Sequence, residues 1–512
     1  MFKKVIKDTS IFVAGTLTSR ILGFIRDILL ANFFGASKVL EAFIVSFRLP
    51  NIFRSIFGEG FADSVATPVL SEYSNQKGKL FSTSNYMLSI LTVLLVILTL
   101  LGIIFAKYLV IIIAPGFFIL DKIKFNLAVS FTRITFVYLL FIGLSSSIIS
   151  VLSSLRKFFV PAITPIFLNI SFIIGIIFFS RFFKNYILVI CVLVAGILQL
   201  IFPIISLKRA GFSFKFNLIS GLRDSEIFRM FKLFIPRVWS SLVYHLSVFI
   251  DTAFSSLAFI VGEGAVASVY YADRLIQFPF ALIAISVSRV AIVDLSSYHR
   301  QGNMEDFKKL FVFSFQNIIF FIIPAAVIFA FLSQDILSVV FFRGKFDVES
   351  LKMTSSVFFF YSFGLFFFCA IRFMVNAFYS LKDTSTPTKT AAISLIANII
   401  LSAILMFPLK IGGVALGSSL AAMLNFFLLK HYLDKKIGRI NWQDTRSQTL
   451  RIILLSLLVG IISRISWDFF TFNKYFKTLM TIGLVSSIYI GGGYVLGLKQ
   501  INYLKRWILK KR

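Results

Sequence analysis

The sequence predicts an all-α polytopic membrane protein of fourteen transmembrane helices, arranged as two pseudo-symmetric six-helix lobes plus two extra C-terminal helices. Three observations predict it. Of 512 residues, 58% are hydrophobic and only 14% charged, and mean hydropathy is +0.91, a balance no soluble domain has. Apolar runs of roughly 20 residues, the length that crosses a bilayer core, recur along the whole chain. Two separate motif pairs also recur at one offset of 226 positions.

In chain order the runs stand at 9–33, 38–58, 84–113, 127–155, 160–181, 185–207, 228–259, 265–297, 307–332, 351–380, 386–407, 411–433, 449–467 and 476–498. The opening MFKKVIKDTS is short and basic, and no small-residue cleavage site follows it. It reads as the start of the first span, not a cleaved signal. The second span is expected to bend at Pro50, which removes a backbone donor beside Asn51 and Arg54. It then continues as an amphipathic helix through Pro68 to Tyr73. The stretch KRAGFSFKFNLISGLRDS at 208–225 is the main soluble connection. The 65 phenylalanines read as lipid-facing bulk. Cys191 and Cys369 both fall in apolar spans, which offers neither a disulfide framework nor a metal cluster.

Most basic residues outside the spans lie on the even-numbered connections and at both ends of the chain. Cytoplasmic loops carry such an excess, so both termini are expected inside the cell. The expected divisions are an N-lobe at 1–208, a cytoplasmic linker at 209–224 and a C-lobe at 225–434. Helices 13 and 14 follow at 435–498, and a basic cytoplasmic tail at 499–512, held at the anionic inner leaflet. The net charge of +30 does not indicate nucleic acid, because the cations are interleaved with apolar spans and form no single soluble face.

The repeat rests on Arg48-Leu49 with Arg274-Leu275, and on Leu155…Pro161 (LRKFFVP) with Leu381…Pro387 (LKDTSTP). VLSEY at 69–73 resembles DLSSY at 294–298, and Asp27 has a rough counterpart in Asp251. Six spans fit within the offset, so the halves have one orientation and are expected to be related by an axis along the membrane normal.

The stretch from Thr18 to Gly60 departs from the apolar pattern. It holds Arg20, Arg26, Asp27, Glu41, Arg48, Arg54 and Glu59 within two spans. A charge near the bilayer centre costs at least about 2.5–3.5 kcal/mol, so it is paired, wet or functional. Seven residues make almost two helical turns, which aligns Ser19 with Arg26, Arg20 with Asp27, and Glu41 with Arg48. These residues predict a polar, net-cationic wall inside the protein.

SRILGFIRDILLANFFG, EAFIVSFRLPNIFRSIFGEG, YYADRLIQFP and LKDTSTP together resemble the MurJ/MviN family of the multidrug/oligosaccharidyl-lipid/polysaccharide exporter superfamily. The resemblance spans the whole chain. It implies flipping of lipid II, the undecaprenyl-pyrophosphate-linked disaccharide-pentapeptide, across the bacterial inner membrane by alternating access, with no catalytic chemistry. It implies a central cavity made by Ser19, Arg20, Arg26, Asp27, Glu41, Asn51, Arg54, Glu59, Asn169 and Arg274. It also implies work beside the cell-wall synthesis machinery. Two positions depart from the family pattern: Gln277 where a glutamate is frequent, and Asn376 where an arginine often precedes A-F-Y, with Arg372 one turn earlier.

The residues support the same cargo independently. Arginine matches phosphate oxygens bidentately and stays charged in a poor dielectric. The competing reading is that some arginines, Arg26 and Arg48 foremost, only pair with Asp27, Glu41 or Glu59 to hold helices together. A second site, for Na+, is read from Asp251, Asn398, Ser402, Val414 and Ser418. Some family members resemble this set, with a carboxylate where Ser402 stands. The competing reading is small polar residues packing helices. His245 is read as a core histidine ahead of a proton relay. No G-x-x-x-x-G-K-[ST] occurs, so nucleotide drive is not expected. Ion gradients, membrane potential and substrate supply remain. Two rival functions remain as well: export of another polyprenyl-linked glycan or of drugs, and a non-transporting membrane scaffold.

Overall fold

The computed structural model describes the backbone of residues 2–438, 440, 442–470 and 472–503, and their side chains apart from 2–13, 59 and 236–245. A helix stands at each of the fourteen predicted positions, and no strand occurs among the described residues. In order they are α1 (Phe2–Phe34), α2 (Lys38–Ser55), α3 (Lys77–Ile104), α4 (Lys122–Ser154), α5 (Ile166–Ile174), α6 (Ile187–Lys208) and α7 (Ser225–Ser255). Then come α8 (Ala265–Pro279), α9 (Met304–Phe331), α10 (Val348–Ser380), α11 (Ser385–Leu409), α12 (Ile411–Ile437), α13 (Gln443–Phe469) and α14 (Lys474–Val495).

Hydrocarbon offers no partner for backbone N–H and C=O groups, so apolar runs of this length are driven into helix. Side chains close several helix starts. Asp224 accepts from the N–H groups of Glu226 at 2.9 Å and Ile227 at 3.1 Å. Ten helical stretches among the described residues are long and apolar enough to cross a membrane. They cover every predicted span except α1, α2 and α7. In α1 and α2 the charges read from the sequence are what interrupt the apolar run. Pro50 lies inside α2. The change of helix type comes later, as a π-helical stretch at Ile56–Ala66, after which the helix resumes at Thr67–Ser71 through Pro68.

The chain forms two compact units, Met1–Leu257 with Arg343–Phe346, and Ala258–Phe342 with Asp347–Arg512. The first therefore includes α7, which the sequence division assigned to the second lobe. The reason is packing: Phe234 meets Phe57 at 6.0 Å and Phe61 at 5.2 Å, and Phe231 meets Phe61 at 6.5 Å. Together they belong to the first unit's apolar core.

The repeat is written in the backbone. The non-glycine residues with left-handed φ among the described residues are Arg156 (56°), Lys184 (44°), Lys382 (58°) and Lys410 (52°). Arg156 with Lys382, and Lys184 with Lys410, stand 226 positions apart. Lys157 N–H donates to Leu152 O at 2.9 Å, and Asp383 N–H to Phe378 O at 2.9 Å. Each is the long bond of a Schellman helix end. A left-handed L-residue costs about 1–2 kcal/mol. Both halves keep it at the same place because the turn satisfies the helix's last carbonyls.

Candidate functional site

In the first unit the polar residues of α1 converge on α5. Gly15 lets α1 lean in closely, since a Cβ there would sit 2.6 Å from Ala162 O, whereas a Cβ at Gly23 would make only ordinary contact, 3.6 Å from Asn169 Oδ1. Arg26 donates to Asp27 Oδ1 through Nε at 3.0 Å and Nη2 at 2.8 Å, and to Asn169 Oδ1 through Nη1 at 3.1 Å. Asn169 Nδ2 donates back to Ser19 O at 2.9 Å and lies 3.4 Å from Ser19 Oγ. Four of the predicted cavity residues, Ser19, Arg26, Asp27 and Asn169, are thus one network. It locks the Arg26 guanidinium 5.8 Å from the centroid of Phe172. Arg20, on the same helix, is exposed. Arg54 is half-buried and donates through Nε to Asn51 Oδ1 at 2.8 Å, within one turn of α2.

Two charges of α2 have different surroundings from those expected. Glu41 was read as a cavity acid. Its Oε2 accepts from Lys124 Nζ at 2.7 Å, with the two side chains 2% and 3% exposed. Lys124 was not singled out in the sequence. It opens α4, and its ammonium also stands 4.7 Å from the Phe117 ring centroid. Beside it Lys38 meets Asp121 at 2.9 Å. Burial alone would raise the Asp121 carboxyl, but the Lys124 N–H and the Lys38 ammonium hold it below its ordinary value. Arg48, read as a candidate for pairing with Asp27, Glu41 or Glu59, donates to Val248 O on α7 at 3.2 Å. The side chains of Glu59 and His245 lie outside the described residues.

In the second unit Arg274 lies over the Tyr270 ring at 4.6 Å, with Nη1 3.5 Å from Gln277 Oε1. Gln277 in turn donates to Asp273 Oδ2 at 2.5 Å. The polar residues of α11 and α12 gather around Asn398 Oδ1, which accepts from Ser402 Oγ at 2.9 Å and Ser418 Oγ at 3.2 Å. Ser402 Oγ is also 3.4 Å from Val414 O. Gly413 and Gly417 make this possible. They form a small-xxx-small face on α12, and a Cβ at either would overlap α11 at Leu405 or Ser402. Asp251, the remaining member of the expected set, belongs to the first unit. An apolar groove runs along α14 at Phe476, Leu479, Met480 and Leu484, with Phe470, just past the end of α13, also lining it.

A family model described as "Lipid II flippase MurJ" matches residues 30–488. The chain belongs to that family. It is 33% identical over 506 residues to a "Probable lipid II flippase MurJ" of Buchnera aphidicola, covering 95% of this chain and 96% of that one. It is 31% identical over 427 residues to a "Lipid II flippase MurJ" of Burkholderia cenocepacia, covering 82% of each. A solved structure described as "Lipid II flippase MurJ, inward closed conformation" superposes with TM-score 0.80 at 26% identity, over 95% of this chain and 98% of that one. A multidrug resistance MATE family transporter shares the fold at TM-score 0.67 and 15% identity, over 81% and 95%.

Proposed function

We propose that the protein moves lipid II from the cytoplasmic to the outer leaflet of the bacterial inner membrane by alternating access, with both termini in the cytoplasm. The observation that carries the reading is the cationic α1–α2 wall in a chain matched to the family over nearly its whole length. Arg20 and Arg54 keep accessible guanidinium groups, whose planar forks suit pyrophosphate oxygens. Arg26 is held by Asp27 and Asn169 and its charge is matched by the Asp27 carboxylate, so it contributes a rigid wall beside the open arginines. Ser19 and Asn51 add neutral polar groups beside the arginines. Arg274, backed by Tyr270 and Gln277, is assigned a further phosphate contact. The apolar groove along α14 suits a polyprenyl tail.

Na+ and the membrane potential are the proposed energy sources. The oxygens of Asn398, Ser402, Val414 and Ser418, gathered within the second unit, are the ligands proposed for a hard monovalent cation. A bound cation would supply charge that rewards one conformation over another. A cationic wall responds to voltage at roughly 2.3 kcal/mol per charge per 100 mV fully crossed.

The test is growth after depletion of a native flippase. Arg20→Ala, Arg54→Ala and Arg274→Ala are expected to reach the membrane at normal levels and fail to complement. Full complementation by all three would overturn the assignment of these arginines to the cargo.

A further inference from the structure

We infer that the connection between α6 and α7 is an anionic-lipid anchor, seated in the interface of the leaflet it faces. The segment is built, not loose. Phe212 is buried and meets Phe81 edge-on at 5.4 Å. Asn85 on α3 grips the backbone twice, donating to Ser213 O at 3.2 Å and accepting from Lys215 N–H at 2.9 Å. Ser89 Oγ accepts from Asn217 N–H at 3.0 Å. The turn of helix at Leu218–Arg223 then packs through Gly221, where a Cβ would lie 3.2 Å from Tyr86 Cβ and 3.1 Å from Ile90 Cδ1.

That docking fixes what the segment presents outward. Phe214, Phe216, Ile219 and Leu222 are 51%, 59%, 69% and 68% exposed. They lie outside the membrane-spanning helices, where an apolar row has no reason to face water. Lys208, Arg209, Lys215 and Arg223 flank the row, all exposed and none paired with an acid among the described residues. The nearby acids are engaged: Asp224 caps α7, and Glu72 and Glu226 bind Arg229 at 2.8 and 3.4 Å. The segment is tethered at both ends to spans, so the surface within its reach is the bilayer. Apolar side chains entering the acyl boundary beside unpaired cations at the phosphates are the features of an interfacial anchor on anionic lipid. Which leaflet it meets follows from the proposed topology; its contact with lipid does not.

The test places a polarity-sensitive fluorophore on Ile219→Cys in the full chain. Cys191 and Cys369 are 3% and 0% exposed, so the new thiol is labelled selectively. The labelled protein goes into nanodiscs of phosphatidylcholine alone, or with about one-third phosphatidylglycerol. The expected result is quenching by headgroup-proximal spin-labelled lipid and several-fold weaker iodide quenching in the anionic discs. Replacing Lys208, Arg209, Lys215 and Arg223 by Gln should remove that anionic increment, at about fivefold in partition per cation. High salt should remove it without mutation. Equal iodide access in both discs with no quenching by spin-labelled lipid would overturn the anchor. Lipid quenching indifferent to phosphatidylglycerol, salt and the Gln variant would overturn its charge selectivity.

Discussion

Glu41–Lys124 and Arg20–Asn51–Arg54 lie in the same unit and use the same kinds of side chain, yet they differ in access. The first pair is closed: opposite charges 2.7 Å apart, each 3% exposed or less. The second group is open: Arg20 is exposed, and Arg54 is half-buried with one donor on a neutral amide. A sealed ion pair has already satisfied its field and offers nothing to an anion. An accessible guanidinium still has donors to give. Access, more than charge, therefore separates the groups that hold the helices from those assigned to the cargo.

Lys124→Met leaves Glu41 charged and buried without its ammonium, a loss of about 3–5 kcal/mol. Melting of the purified protein in detergent should drop sharply. Glu41→Gln combined with Lys124→Met should recover most of the loss, because no charge is then stranded. A double variant as unstable as Lys124→Met alone would mean the pair is not what holds α2 to α4. Arg54→Ala should do the reverse. Its melting should stay within about 0.5 kcal/mol of the parent, while affinity for a lipid-linked pyrophosphate falls by one to two decades, the loss of a contact of about 1.5–3 kcal/mol. Arg54→Lys should recover only part, since it keeps the charge and loses the fork.

Asn169 stands between the two cases, since it both packs and positions. Asn169→Leu removes the acceptor for Arg26 and the donor to Ser19 O, a cost of about 1–3 kcal/mol. Melting should fall by less than in Lys124→Met, and cargo affinity by less than in Arg54→Ala. A full loss of cargo affinity with unchanged melting would place Arg26 among the open group.

The fold was legible because apolar length and the 226-residue offset are properties of the chain itself; the turns at Arg156 and Lys382 repeat in backbone what LRKFFVP and LKDTSTP repeat in sequence. The α1 network was half legible. Spacing aligned Ser19 with Arg26, but Asn169 entered through family resemblance, because a lone asparagine in an apolar span carries no sign of its partner. Lys124 was missed since DKIKF reads as a loop of ordinary lysines, and its acid lies on another helix. The place of α7 was missed for a different reason. With 65 phenylalanines in the chain, nothing marks Phe231 and Phe234 as the rings that meet Phe57 and Phe61.

The two repeated turns differ in charge. Lys157 stands at the position that Asp383 takes 226 residues later, so only the second turn carries a carboxylate. Asp383 Oδ2 meets Lys436 Nζ at 2.6 Å, and Thr386 donates its N–H at 3.0 Å and its hydroxyl at 2.8 Å. Burial pushes this carboxyl up, but Lys436 and Thr386 outweigh it and bring the value down from 3.8 to about 2. A depressed carboxyl stabilises the fold fully above its unfolded value, and that stability is lost as pH falls from about 4 to about 2. Linkage alone gives a little over 2 kcal/mol; with Lys436 39% exposed, solvent screening reduces this to about 1 kcal/mol. Asp383→Asn should therefore melt slightly below the parent at pH 6, with the gap closing toward pH 2. Lys157→Gln, in the equivalent turn, should leave the pH profile unchanged. A gap for Asp383→Asn that stays constant down to pH 2 would show that Asp383 contributes through the geometry of its hydrogen bonds to Thr386 and not through its charge.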